Sequence, residues 1–180
     1  MKVKAVLAAL AVAALLPVAA AAETATPVDK ANGARACQAL KASLGASFAS
    51  TYGTNADKSN AFGKCVSRWT QAERQNRAAA ETACTAEQAD AGFAAAHGGK
   101  TFAQFYGTGK KGANAMNRCV QGKTAAARAA QKAAVVNASR SCKVERTAMG
   151  AAGFKAKYGT NADKSNAFGK CVSKLAAAKQ

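Results

Sequence analysis

Sixteen residues, Tyr52 to Ser67 (YGTNADKSNAFGKCVS), return unchanged at Tyr158 to Ser173, and a looser copy runs from Tyr106 to Gln121. In every copy a cysteine closes the stretch (Cys65, Cys119, Cys171) and another lies upstream of it (Cys37, Cys84, Cys142). Such recurrence points to a chain built from like units. An even number of cysteines placed two to a repeat favours three disulfides over free thiols. Fifteen pairings can be drawn from the six cysteines. Equivalent units should close equivalently, which selects Cys37–Cys65, Cys84–Cys119 and Cys142–Cys171. Closing loops of about thirty residues stabilises by roughly 3–4 kcal/mol each in the chain-entropy model. A metal centre is not expected, because no C-x-x-C occurs and there is one histidine.

Staples are needed because large apolar side chains are scarce. Of 180 residues 51 are alanine, which has the best helix propensity but buries little area. Helices should form easily and cores with difficulty, the situation in which small domains rely on cross-links.

The repeats can be read against one another. A first helix carries the upstream cysteine (34–44, 81–91, 138–149) and meets a stop glycine, Gly45, Gly92 or Gly150. A short helix then carries Phe-x-x-x-Tyr: Phe48/Tyr52, Phe102/Tyr106, Phe154/Tyr158. The i,i+4 spacing puts both rings on one face. Gly53, Gly107 and Gly159 follow as expected left-handed C-caps. After a polar loop, Asn60, Asn114 and Asn166 stand where N-caps belong, ahead of a third helix bearing Phe62, Met116 or Phe168 and the second cysteine. With its rings and disulfide, each unit should form one small core. Residues 66–83 and 124–141 contain neither Gly nor Pro, so one long helix should leave each unit and open the next. Gly122 is a candidate kink. The fold expected is all-α: three tandem disulfide-stapled modules on long continuous helices, elongated like other linear repeat arrays. The boundaries are 1–22 signal peptide, 23–33 disordered leader with an Asn32-Gly33 turn signal, and repeats at 34–80, 81–137 and 138–180.

Met1 to Lys4 is charged, Ala5 to Leu16 is apolar, and Ala19 to Ala22 are small. That order predicts a secretory signal peptide cleaved near Ala22 and an extracytoplasmic mature chain. The formal net charge is +17, and it is unevenly spread. Residues 110–180 hold fifteen Lys or Arg against Glu145 and Asp163, whereas residues 23–109 hold nine against seven acids. The excess suggests a surface for a polyanion on the C-terminal half, or a merely solubilising one. The candidate contacts are Lys110 and Lys111 with Arg128, Lys132, Arg140 and Lys143, the last four lying within about 120° of arc on a helix. The partner would be an anionic polymer of the cell envelope or medium, bound electrostatically, with nucleic acid as a non-specific case. Amphipathicity is too weak for stable membrane insertion.

Other chemistry finds little footing. Asn55, Asp57 and Ser59 alternate like the start of a calcium loop, but the sixth and twelfth positions are Asn60 and Val66 rather than Gly and Glu. His97 lies beside two glycines with no nucleophile to serve and reads as a solvated loop residue. The acids do not recur in all three repeats as a carboxylate pair would, and no phosphate-binding glycine motif is present. No catalytic residue and no cofactor is expected. The pattern F-x3-Y-G-T-x5-N-A-F-G-K-C-V resembles that of a class of secreted bacterial proteins with repeated cysteine-paired helical modules. The resemblance covers the three repeats and implies an exported helical protein without implying an activity or ligand. Two readings stand: a non-enzymatic polyanion-binding protein, and a structural spacer or protein-interaction module.

Overall fold

The structure is a computed structural model that describes residues 24–109 and 111–178. The expected signal peptide and Lys110 lie outside the described residues. Those described form helices and no strand: α1 Pro27–Leu44, α2 Ser47–Tyr52, α3 Ala61–Ala89, α4 Phe93–Ala96, α5 Phe102–Tyr106, α6 Ala115–Tyr158 and α7 Ala167–Ala177. The all-α expectation holds, and so do the long helices. Cys65 and Cys84 share α3, and Cys119 and Cys142 share α6. Gly122 leaves α6 unbroken; the non-helical residue is Gly150, at φ 72°.

The three expected disulfides are formed, with sequence separations of 28, 35 and 29 residues. All six cysteines are fully buried, each pair within its own cluster. Around Cys37–Cys65 lie Leu40, Leu44, Phe48, Tyr52 and Trp69; around Cys84–Cys119 lie Phe93 and Phe102; around Cys142–Cys171 lie Phe154, Tyr158, Phe168 and Val172. The tyrosine hydroxyls are satisfied differently in each. Tyr106 and Tyr158 donate to Glu87 and Glu145, each at 2.8 Å and each three residues after a cysteine. In the first repeat that place is held by Leu40, and the Tyr52 hydroxyl instead accepts from the Trp69 indole at 3.1 Å.

Residues 27–33 are not a disordered leader. Thr26 caps α1, accepting from the Asp29 N–H while Asp29 accepts from the Thr26 N–H. Pro27 stands inside this capping box at the first helical position, where its missing N–H costs nothing. Asn32-Gly33 is no turn: Gly33 is buried within α1, and a Cβ there would come within 2.8 Å of the Thr70 backbone nitrogen on α3. Glycine at 33 thus lets two helices approach closely.

The chain is also not strung out in a line. α6 runs back alongside α3, as successive contacts show: Glu87 with Lys123, Glu73 with Arg128, then the Trp69 cluster with Val135 and Val136. This return brings the third repeat against the first, α7 lying on α2. The reason is that α3 and α6 each keep a face of small and apolar residues that water would otherwise cover.

Two local expectations change as well. Gly53, Gly107 and Gly159 have φ of −69°, −77° and −72°, so none is a left-handed cap. They are glycine because of crowding. A Cβ on Gly53 would meet the Ala49 carbonyl oxygen and the Lys58 Cβ, both at 2.7 Å. Six residues after each tyrosine the loop residue is left-handed: Lys58 (φ 61°), Gly112 (φ 55°) and Lys164 (φ 53°). Asn60, Asn114 and Asn166 make no side-chain cap bond. Each instead ties the loop closed, accepting from the N–H and donating to the hydroxyl of Thr54, Thr108 or Thr160.

Gly53→Ala should therefore destabilise by about 1–3 kcal/mol through overpacking. Gly63→Ala, on α3 with nothing within 4 Å of its Cβ position, should stabilise by about 0.5–1 kcal/mol. Denaturant midpoints of the two variants test the contrast. Burial opposes ionisation of Asp29, but hydrogen bonds from Thr26 and Arg77 outweigh it and hold the carboxyl below its usual range. Its folded pKa lies under the unfolded one, so its contribution is present above about pH 4 and lost as pH falls through the folded value. Asp29→Asn should lower the melting temperature at neutral pH and flatten its dependence below about pH 4.

Candidate functional site

The cations expected to form one stripe are placed apart. Lys111 is exposed in the loop before α6, at the second repeat. Arg128 is turned inward: its Nε and Nη2 donate to Glu73 at 2.5 and 2.8 Å, and Glu73 is wholly buried. That hydrogen-bonded carboxylate raises the Arg128 pKa further. Beside it Asn76 and Gln131 exchange two hydrogen bonds of 3.0 Å. These polar pairs set the register of α3 against α6 and leave Arg128 with no charge to offer a ligand. Lys132 is half-buried, while Arg140 and Lys143 are exposed.

The cationic surface lies instead where α2 and α7 meet. Small residues allow the contact: a Cβ on Gly169 would come within 2.8 Å of the Thr51 carbonyl oxygen and 3.2 Å of that of Ser50. Arg68 of α3 donates to the Ser173 hydroxyl of α7 at 3.3 Å, and its guanidinium lies over the Tyr52 ring, 6.0 Å from the centroid. Three clefts open around this seam, and Ser50 lines all of them. The first, of about 460 Å³, carries Lys64, Arg68 and Lys170. The second, of about 620 Å³, carries Lys143 and Arg146. The third, of about 250 Å³, carries Arg146, Lys155 and Lys164. No Asp or Glu lines any of the three.

The nearby acids are occupied. Glu145 is held below its usual range by hydrogen bonds from Lys157 and then Tyr158. Asp163 is held down by Ser165, with a further contribution from Lys58 across the seam. Asn55 and Asn161 direct their amides to Ser59 and Ser165, so the loop oxygens bond within the loop. Among the described residues no group of three or more His, Cys, Asp or Glu could hold a metal ion. None of their helices is long and apolar enough to cross a membrane.

His97 is not a free loop residue. Its ring stacks on Phe93 at 3.8 Å between centroids, its Nδ1 lies 2.8 Å from the Phe93 carbonyl oxygen, and Phe105 meets it edge-on. Of the expected contacts among the described residues only Lys143 lies in the clefts; Lys64, Arg68, Arg146, Lys155, Lys164 and Lys170 stand there without having been expected. The signal available was Lys64 and Lys170 at one place in identical repeats, beside Gly63 and Gly169. Comparison of the chain with protein-family models, curated proteins and solved structures finds no match.

The inward arginine has a measurable consequence. Arg128→Met leaves Glu73 buried without its partner and should cost about 3–5 kcal/mol. Glu73→Leu combined with Arg128→Met should recover most of that loss, because the pair's desolvation is removed with it. Chemical denaturation of the two variants distinguishes this from a surface arginine, whose loss would change little.

Proposed function

We propose that this is a non-enzymatic, exported protein that binds anionic polymers of the cell envelope or its surroundings, through the seam between its first and third repeats. The observation that carries the reading is seven exposed cations lining adjoining clefts without a carboxylate among them. Among the described residues Lys64, Lys143, Arg146, Lys155, Lys164 and Lys170 have no ion-pair partner, whereas Arg77, Lys123, Arg128 and Lys157 do. Unpaired like charges gathered in concave surface raise the local concentration of polyanions. Export is supported by the charged, apolar, small-residue order of the first 22 residues and by three disulfides, which persist in oxidising compartments. The non-enzymatic reading is supported by the commitment of the polar groups: Asp29 and Glu73 to arginines, and His97 to the Phe93 carbonyl and ring.

Retention of the full chain on immobilised dextran sulfate, measured against salt, tests the proposal. Log affinity should fall steeply and linearly with log salt. Lys64→Gln, Arg68→Gln and Lys170→Gln together should make the slope shallower by about 2–3. Lys111→Gln should shift the slope by no more than about one contact's worth. Binding that survives high salt, or a slope unmoved by the triple variant, would favour the spacer or protein-interaction reading.

A further inference from the structure

The cleft of Lys64, Arg68 and Lys170 does not end at Arg68. Thr51, Tyr52, Arg68 and Ser173 also wall a second groove, of about 260 Å³, that continues along the seam. Its chemistry differs. The walls there are Trp69 and Ala72 of α3, Val135 of α6, and Val172 and Ala176 of α7. Arg68 is its only charged residue, and beyond the hydroxyls of Thr51, Tyr52 and Ser173 its polar side chains are Gln75 and Gln131. Together the two spaces fall within the range of small-ligand sites, about 300–1,000 Å³, and share the usual design of a mainly apolar wall with a few placed polar groups. Lys170 and Ala177 stand seven residues apart on α7, so the cationic and apolar ends are separated by about 10 Å along that helix.

A purely polar anion would use only one end of this arrangement. We propose that the seam binds a single-chain anionic amphiphile, with its phosphate or carboxylate head between Lys64, Arg68 and Lys170 and its alkyl chain along Trp69, Val135 and Val172. Arg68 stands at the junction and is already oriented. One of its nitrogens is engaged by Ser173 at 3.3 Å, and its plane lies over Tyr52. The rest of its N–H groups remain for a charge-assisted bond to the head. Charge complementarity thus fixes one end of the ligand, and burial of methylene groups adds affinity at the other. The inference rests on the proposed anion-binding role of the same three cations, and adds the apolar half that a polymer does not require.

Trp69 is the only tryptophan, so its emission reports the groove directly. The full chain would be titrated with decyl phosphate below its critical micelle concentration, with inorganic phosphate, and with decyl maltoside. Decyl phosphate should alter Trp69 emission and bind at least about tenfold more tightly than either partial probe. Lys64→Gln with Lys170→Gln should weaken decyl phosphate about tenfold and leave decyl maltoside unchanged. Ala72→Glu should abolish the advantage of decyl phosphate over inorganic phosphate, with the circular dichroism spectrum confirming that the variant is folded. Decyl phosphate no tighter than inorganic phosphate, or silent at Trp69, would overturn the proposal. So would sedimentation with anionic phospholipid vesicles without one-to-one binding of the monomeric amphiphile, which would indicate surface adsorption. Dextran sulfate retention on the same preparation separates the two readings. If retention persists while the alkyl chain adds nothing, the amphiphile inference falls alone; if retention is also absent, the polyanion reading falls with it.

Discussion

Three disulfides supply what an alanine-rich chain lacks in side-chain volume. Each sits fully buried within a cluster of a few large residues, and the clusters are joined mainly by long helices. Between them the packing depends on how closely backbones can approach. Gly33 against Thr70, and Gly169 against Ser50 and Thr51, are places where a single methyl group would force movement. The Glu73–Arg128 pair lies about one turn along α3 from the Gly33 contact, and it helps specify how far α6 has slid along α3 when it turns back. A slip by one helical turn would replace the bidentate arginine with Thr124 in one direction, leaving the Glu73 carboxylate buried without a cation, or with Lys132 in the other, which cannot match the bidentate pair. Small side chains make the hairpin close, and the polar pairs along α3 and α6 make it unique.

The same economy explains why α7 lies on the short helix of the first repeat. In the first repeat the short helix presents Ala49, Ser50 and Thr51, small enough for Gly169 to lie on its last carbonyls. At the equivalent places the third repeat has Lys155, Ala156 and Lys157, and the second has Ala103, Gln104 and Phe105. Those two lysines would stand in the way of another glycine-bearing helix. Gly63, identical in its local sequence to Gly169, is left with open space around it. The contact is therefore head-to-tail in kind but closes within one chain, where an unbroken series of such contacts would extend into a filament. The differences between nearly identical repeats, more than their likeness, decide the tertiary arrangement.

This is also why local structure was legible in the sequence and its assembly was not. Cysteine pairing followed from equivalence of units, and the long helices from unbroken alanine-rich runs. Phe48, Tyr52, Phe154 and Tyr158 went to the core on spacing alone. Glycine was harder, because a residue chosen for having no side chain looks the same whether it turns the chain or lets another helix in. Gly33 and Gly53 were read as turning residues and prove to be points of close approach. Asn60 was expected as an N-cap, and the role of Trp69 is not visible from its local sequence, for a related reason. Asn60 bonds back to Thr54 six residues earlier, and Trp69 packs over Tyr52 from a different helix. Phe62 and Phe168 share one sequence context, yet Phe62 is 38% exposed and Phe168 only 7%. No local rule separates them; Phe168 faces the seam and Phe62 does not.

The charge distribution follows from the same packing. Acids are few, and the hairpin uses them: Asp29 and Glu73 hold arginines on α3 and α6, and Glu87 holds Lys123 and Tyr106. Both Lys123 and Arg128 belong to the half of the sequence with the large positive excess, yet neither adds to an unpaired surface. Among the cations with no ion pair, seven line the seam clefts, Lys64 and Arg68 from the first repeat joining Lys143, Arg146, Lys155, Lys164 and Lys170 from the third. A solubilising charge would be most effective dispersed over the surface, with both signs interspersed. Concentrating one sign within clefts works against the stability of the contact that forms them, since like charges repel more strongly where water is partly excluded. The seam withstands that repulsion because Gly169 and the small residues of α2 let the backbones touch. An anion placed between the cations would relieve the repulsion and draw the first and third repeats together, so that ligand binding and closure of the hairpin would be linked through one interface.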